Sequence, residues 1–457
     1  MSATTQSVTV AVAVAVAVFF AGCKSECSCE VTCDAEFCYE PGEDTMIAED
    51  LSTLEDVPDA SDGEPTDVPR DPDLPSSDTP DPEDTLADVD DTEAPLGGEL
   101  RGLWVTRWDY GSASDVEGIL QDAADWGFNA VFFQVRAIGD AYYDSAVEPW
   151  AKGLSGTLGQ DPGWDPLAVA IVGAHGRGLE LHAWVNTFTA WSGTSPPTPS
   201  DPPHILYSHP EWRQAGADGA PMAWNSSYTW VSPGIPGVRD HILAVVDDIV
   251  SHYDVDGIHL DYVRYAGPGY SHDPWSEAAY AAAVAVDPGL SWGDHQRDVL
   301  SDFVGTVTAT ATASDPAVKV TAAVWGIHQD VFGWGGTSKG YDDYYQNSHR
   351  WTEEGLIDAI CPMIYWPLTN PPGLRTDFGA LVNDHLSAAG DRHVYPGLKA
   401  DYEDFGEVAA EIEFVRSVGA PGFLVFAYST VVARGHGPAL AAGPFAEPAD
   451  PPAMPWK

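Results

Sequence analysis

Eight short apolar runs, separated by amphipathic and often alanine-rich stretches, limit what this chain can fold into more than any other feature. The runs fall at residues 103–108, 130–136, 179–186, 257–261, 318–324, 357–365, 393–398 and 422–428. Between them, apolar residues recur every three or four positions at 116–126, 166–175, 238–252, 295–311, 341–354, 378–389 and 405–418, the spacing of a helix with one buried face. Strands that alternate with helices on this scale run parallel, because each crossover returns the chain to the same end of the sheet. Eight such units between residues 99 and 437, with long insertions after several strands, predict an α/β protein, a (β/α)8 TIM barrel rather than an open sheet. No GxGxxG or GxxxxGK pattern follows the first strand, which disfavours a nucleotide fold.

The fourth run ends abruptly in Asp261, with Tyr262, Arg264 and Tyr265 beyond it. In a parallel barrel the carboxyl ends of the strands form the rim where active sites are built, so Asp261 is a candidate catalytic carboxylate. Taken alone, it would serve as well to cap a helix or to pair with Arg264. The other strands shift that balance. Asp109 follows the first. Gln134 and Arg136 end the second, with Asp140 and Glu148 on the loop beyond. His182, Trp184 and Asn186 lie on the third, and Tyr365 and Trp366 follow the sixth. Alternation along a strand explains each of these singly, but not their gathering at one end. Such a rim suits a sugar: carboxylates for acid and nucleophile or base, Arg, His and Asn for hydroxyls, rings to stack on pyranose faces. Asp261, with Asp140 or Glu148 as its acid partner, forms the candidate catalytic set. His182, His259 and Asp261 are the best candidates for a cation site, but no HxH or HExxH pattern is present, and no GxSxG marks a serine hydrolase. No metal and no cofactor are expected.

Composition narrows the partners. A net charge of -50 repels phosphate backbones, so nucleic acid is not expected and a polyanionic substrate is disfavoured. Five of the six cysteines lie between Cys23 and Cys38, and the sixth, Cys361, sits in an apolar run, so the large domain is not a disulfide scaffold. Val8–Phe20 is an uncharged apolar run of signal-peptide length, followed by Ala21-Gly22-Cys23. Small residues directly before a cysteine resemble a bacterial lipoprotein cleavage box. Residues 1–23 then form a lipoprotein-type signal, with Cys23 lipidated, although no Lys or Arg precedes the apolar run. Lys24 in the next position points to the outer membrane or the surface. Residues 24–38 form a Cys-rich segment in which two small disulfide loops are expected. Residues 39–98 form an acidic, Pro-rich linker too poor in apolar residues to fold. The barrel spans 99–437 and a tail spans 438–457. The expected setting is the bacterial cell envelope, with membrane contact through the lipid. Oligomeric state leaves no signature.

Five segments carry a more specific likeness: RGLWVTRWD at the first strand, NAVFFQVRAIGDAYYDSAVEPWAKGLSG at the second, WDPLAVAIVGAHGRGLELHAWVNTF at the third, WVSPGIPGVRDHILAVVDDIVSHYDVDGIHLDYVRY at the fourth and IDAICPMIYW at the sixth. Taken in order, they resemble the glycosyl-hydrolase-like family 10, which is related to the amylase-type barrels. The resemblance implies a TIM barrel, export or lipid anchoring, and hydrolysis of a polysaccharide. For some members the glycan is thought to be that of peptidoglycan stripped of its stem peptides. It also implies that Asp261 is the nucleophile and that Asn186 shapes the sugar site. There are departures. Tyr262 stands where the family often has a second Asp, His259 stands where the amylase-type barrels have Arg, and the fifth strand lacks their acid Glu. Two other readings stay open: a non-catalytic glycan-binding barrel, and a metal-dependent polysaccharide deacetylase.

Overall fold

The computed structural model describes residues 98–369 and 374–457. The expected signal with Cys23, the Cys-rich segment and the linker up to residue 97 lie outside the described residues. Eight parallel strands close into a barrel: β1 (Leu100–Val105), β2 (Ala130–Arg136), β3 (Glu180–Asn186), β4 (Gly257–Asp261), β5 (Lys319–Trp325), β6 (Ala359–Met363), β7 in two pieces (His393–Val394 and Gly397–Lys399) and β8 (Gly422–Phe426). Each pairs with its neighbour in sequence, and β8 pairs with β1 to complete the ring. The fold is the expected TIM barrel.

Outside it lie α1 (Ala113–Asp125), α2 (Pro166–His175), α3 (Pro236–His252), α4 (Pro274–Val286), α5 (Trp292–Ser314), α6 (Ser348–Glu353), α7 (Phe378–Ser387) and α8 (Phe405–Ser417), with α9 (Tyr428–Arg434) and α10 (Gly437–Ala442) after β8. Most begin on an acidic or hydroxyl cap that satisfies a free N–H of the first turn. Ser112 accepts from Asp115 N, Asp165 from Ala168 N, Asp377 from Ala380 N and Asp404 from Gly406 N. No helix among the described residues is long and apolar enough to cross a membrane.

Several elements depart from the sequence reading for visible reasons. β1 ends at Val105 rather than Trp108, because Asp109 folds back: its Oδ2 accepts from Thr106 N at 2.6 Å and from Thr106 Oγ1 at 2.9 Å. β7 breaks at Tyr395-Pro396, where proline has no N–H to give the ladder. The expected helix 341–354 is divided. Tyr345 takes a left-handed conformation (φ 55°), and Asn347 starts α6 by accepting from Arg350 N.

The barrel interior is packed. Trp104, Phe132, Trp184, Ala359, Cys361, Tyr395 and Leu424 form its core, so it is not a pore. The tail closes the amino-terminal end. Glu99 N donates to Asp450 O (2.8 Å), Asn129 Nδ2 to Ala449 O (2.9 Å) and Trp456 Nε1 to Asp358 Oδ1 (2.8 Å). Lys457 Nζ pairs with Asp358 at 2.7 Å, and Met454 packs against the core. One end of the barrel is thus floored, and the other is left to carry the site.

Candidate active site

Inward-facing residues of β2, β3 and β4 stack in layers from floor to mouth. His182 is in the lowest layer. It stacks on Phe132 at 4.4 Å and bonds Glu180 at 3.1 Å, and Gly257 leaves room for its ring. Glu180 in turn pairs with Lys319. His182 is therefore far from the rim, and a sugar-binding role for it is not supported: its partners belong to the floor. Above it, Trp104 Nε1 donates to His259 Nε2 (3.0 Å), and His259 Nδ1 meets Thr321 Oγ1 at 2.8 Å. Because the indole N–H can only donate, Nε2 accepts and the proton resides on Nδ1. Burial holds the ring neutral, well below the ordinary histidine range. Trp184 lies in the same layer, 6.3 Å from His259, buried and without an acceptor for its indole N–H. It plugs the barrel beneath the mouth.

The top layer holds Gln134, Asn186 and Asp261. Asn186 and Asp261 are register partners at the ends of β3 and β4. Gln134 Oε1 accepts from Arg107 N at 2.9 Å, and its Nε2 donates to Asn186 Oδ1 at 3.1 Å. This fixes the amide of Asn186 with its oxygen toward Gln134. Its Nδ2 is left buried and without an acceptor, a donor ready for a ligand oxygen.

Asp261 is nearly buried at the mouth. Its Oδ1 accepts from Tyr262 N at 2.6 Å, a short bond made possible by the left-handed conformation of Tyr262 (φ 49°). Arg264 Nη1 approaches the same oxygen at 3.5 Å. The guanidinium of Arg264 is held among rings: Tyr262 at 4.4 Å, Trp325 at 5.5 Å, Tyr344 at 5.9 Å and Trp230 at 6.0 Å. Tyr262 also packs edge-on against Tyr228 and Trp230, each 5.4 Å away. Arg107 donates to Tyr228 Oη at 3.0 Å and lies over Trp108 at 4.1 Å. Tyr365 is half-buried on the β6 side, 5.5 Å from Phe426. Burial, aided by the charge of Asp261, pushes its phenol well above the ordinary range. Trp366 packs over Gly326, where a Cβ would strike the Met363 carbonyl and crowd the Trp366 ring.

The two acid candidates separate sharply. Glu148 is wholly buried and gripped at both oxygens by Arg136, at 2.8 Å each, with His241 Nε2 at 2.9 Å. Burial alone would raise its carboxyl, but the charge of Arg136 and the bond from His241 outweigh this and hold it at about 2. A carboxylate so held does not give up a proton near neutral pH. Arg136 is spent as well. Its remaining nitrogen reaches the carbonyls of Asn186, Thr187 and Thr189, so it pins the tip of β3. The pair is a buried brace for Asn186, with no valence left for a sugar. Asp140 is also buried, but its Oδ1 has only the Ile138 N–H at 3.0 Å, and burial pushes its carboxyl up despite nearby Arg107. That direction suits a proton donor. Asp109 is raised by burial too, but is tied into the turn after β1. Among the described residues, no group of three or more His, Cys, Asp or Glu is arranged to hold a metal ion.

Tyr228, Trp230 and Tyr344 reach the site from insertions. Trp230 comes from a short antiparallel pair, Thr189–Trp191 with Thr229–Trp230. Only the three-dimensional fold brings them to the mouth. Their one signal in sequence is a clustering of aromatics in segments too polar to be core.

Comparison with known proteins accords with this geometry. A family model described as Glycosyl hydrolase-like 10 matches residues 99–399, well over half of the chain. A protein of Bacillus subtilis named glycosyl hydrolase YngK is 31% identical over 288 residues, 59% of this chain and 54% of its own length. One of Escherichia coli K12 named glycosyl hydrolase DigH is 30% identical over 307 residues, 59% of this chain and 66% of its own. The chain thus matches under two thirds of the length of either relative. The glycoside hydrolase domain of PgaB (BpsB) from Bordetella bronchiseptica superposes with a TM-score of 0.51 at 15% identity, over 75% of this chain and 98% of its own. The catalytic domain of a β-amylase from Paenibacillus polymyxa gives 0.52 at 13%, over 74% and 94%. These two likenesses show a shared barrel. From its family match, the chain belongs to the Glycosyl hydrolase-like 10 family.

Proposed function

We propose that the barrel hydrolyses a polysaccharide or peptidoglycan-type glycan at the bacterial cell envelope by a two-carboxylate mechanism. Asp261 is the central carboxylate and Asp140 the proton donor. The observation that carries this reading is the setting of Asp261: a nearly buried carboxylate at the mouth, aimed by the Tyr262 N–H and Arg264, and flanked by the Asn186 donor. Asp140 protonates the leaving glycosidic oxygen. Asp261 attacks the anomeric carbon or activates water against it, and its negative charge offsets the positive charge that develops on the sugar ring. Arg264 and the Tyr262 N–H hold its direction, and Asn186 Nδ2 donates to a sugar oxygen. Tyr262, Trp230 and Trp325 present ring faces to the pyranose. Anchoring through a lipid on Cys23, and so a place on the envelope, belongs to the same proposal.

β5 ends in Trp325, followed by Gly326, with no carboxylate. That favours a second reading, a barrel that binds glycan without cutting it. One experiment decides. The protein and its Asp261→Asn variant are incubated with peptide-free peptidoglycan glycans and with neutral polysaccharides, and reducing ends are counted. The proposal expects release by the parent and none by the variant, with matching circular dichroism. Equal release by both removes Asp261 from the mechanism. Binding without release by the parent supports the second reading.

A further inference from the structure

The loop after β5 leaves the rim and returns to it at one point. Gly340 N donates to Ile327 O (2.9 Å) and Tyr341 N to His328 O (3.0 Å), closing its neck. Trp325 Nε1 donates to Ser338 O at 2.7 Å, so the returning limb is tied to a ring that walls Arg264. The tip is shaped by the chain itself. Asp330 accepts from Trp334 N and Gly335 N, each at 2.8 Å, and Gly333, Gly335 and Gly336 take left-handed φ of 73°, 63° and 67°. On this tip the rings of Phe332 and Trp334 stack at 4.5 Å, inclined by 22°. Phe332 is 39% exposed and the neighbouring Val331 is 64% exposed. The loop spends its local bonds on holding an apolar stack in water, beside the mouth, where a core residue would be buried.

We propose that Phe332 and Trp334 form a second glycan-contact site, a platform for a sugar unit of the same chain whose scissile bond lies at Asp261. The inference rests on the glycosidase reading and deepens it: the enzyme grips a polymer and not only the residues around the cut. Three observations favour a sugar as occupant. The loop that carries the platform is tied to the wall of the site through the Trp325–Ser338 bond. Its rings offer flat faces of the kind that pack on pyranose C–H bonds. No cationic side chain lies within the tip sequence Gln329–Thr337, and Lys339 just beyond it faces the carboxylates of Asp330 and Asp343, so an anionic surface finds little to bind there.

The test uses the full-length protein, Trp334→Ala, Trp334→Phe and Asp261→Asn, with glycans graded from short oligosaccharides to polymer. Trp334→Ala should raise KM for the polymer about tenfold, the worth of one ring contact, with kcat and turnover of the shortest substrate unchanged. Trp334→Phe should restore most of the loss. The same change in Kd should appear in the Asp261→Asn background. Unaltered KM for the polymer in Trp334→Ala overturns the platform and leaves the mechanism standing. Equal losses on short and long substrates also overturn it, making the loop a structural support. Association with zwitterionic lipid vesicles that Trp334→Ala abolishes, with glycan binding intact, overturns it in favour of a membrane wedge. Full turnover by Asp261→Asn, with weakened polymer binding by Trp334→Ala, keeps the platform and removes the mechanism.

Discussion

Glu148→Gln takes one negative charge out of a wholly buried cluster and leaves Arg136 and His241 facing an amide. In the native protein the Glu148 carboxyl is held at about 2 against an ordinary 4.5, a difference of 2.5 units. At 1.36 kcal/mol per unit, this is about 3 kcal/mol in favour of the ionised form. The variant loses that and strands a buried guanidinium, so the expected cost is about 3–5 kcal/mol. Urea unfolding at pH 7.5 reads it as a fall in midpoint at constant slope. The sign with pH follows. A depressed carboxyl stabilises the fold above its unfolded value and ceases to do so as pH falls from 4.5 toward about 2. Between pH 7.5 and 3.5 the gap between parent and variant should narrow by about 1 kcal/mol. Below its lowered melting point the variant should keep kcat within about tenfold of the parent, since Glu148 acts by bracing the tip of β3 and not by giving a proton. A Glu148→Gln protein as stable as the parent but inactive would refute this reasoning and return the acid role to Glu148.

Asp140→Asn should lower kcat/KM for glycan cleavage by about 10²–10⁴ and erase the basic limb of its pH profile, because burial raises this carboxyl and only its protonated form is productive. Arg264→Lys keeps the charge but not the flat cation that four rings enclose, so kcat should fall by about tenfold or more, read in the reducing-end assay at saturating glycan. Glu411, fully buried on α8, is pushed up to about 9 by its burial. Its stabilising contribution is complete below 4.5 and is lost as pH rises toward 9, at a cost of about 4 kcal/mol by pH 7.5, from three units at 1.36. Glu411→Gln should therefore raise the urea midpoint at pH 8 and have little effect at pH 4.5.

Period and composition carried the barrel. Ala130–Arg136, Gly257–Asp261 and Pro166–His175 fall where their patterns put them, because short apolar runs and an apolar stretch behind an Asp cap and a proline are set by local chemistry. Hydropathy puts β1 three residues late because the Thr106–Asp109 turn is made by a side chain, which hydropathy does not record. The site was legible only as a rim. The sequence shows Glu148 and Asp140 as two carboxylates on one loop. It does not show that Arg136 and His241 converge on the first and leave the second to burial, since His241 lies 93 residues from Glu148 on α3. Likewise His182 and Asn186 share a face of β3, but only depth in the barrel makes one a floor residue and the other a ligand-facing donor.

Glu99 meets Asp450 at the floor of the barrel. Both segments meet at the pole opposite Asp261, so Gly98 and Glu99 lie on the far side of the barrel from its mouth. An immobilising group coupled at Glu99 would therefore face away from the mouth and leave it open to a polymer.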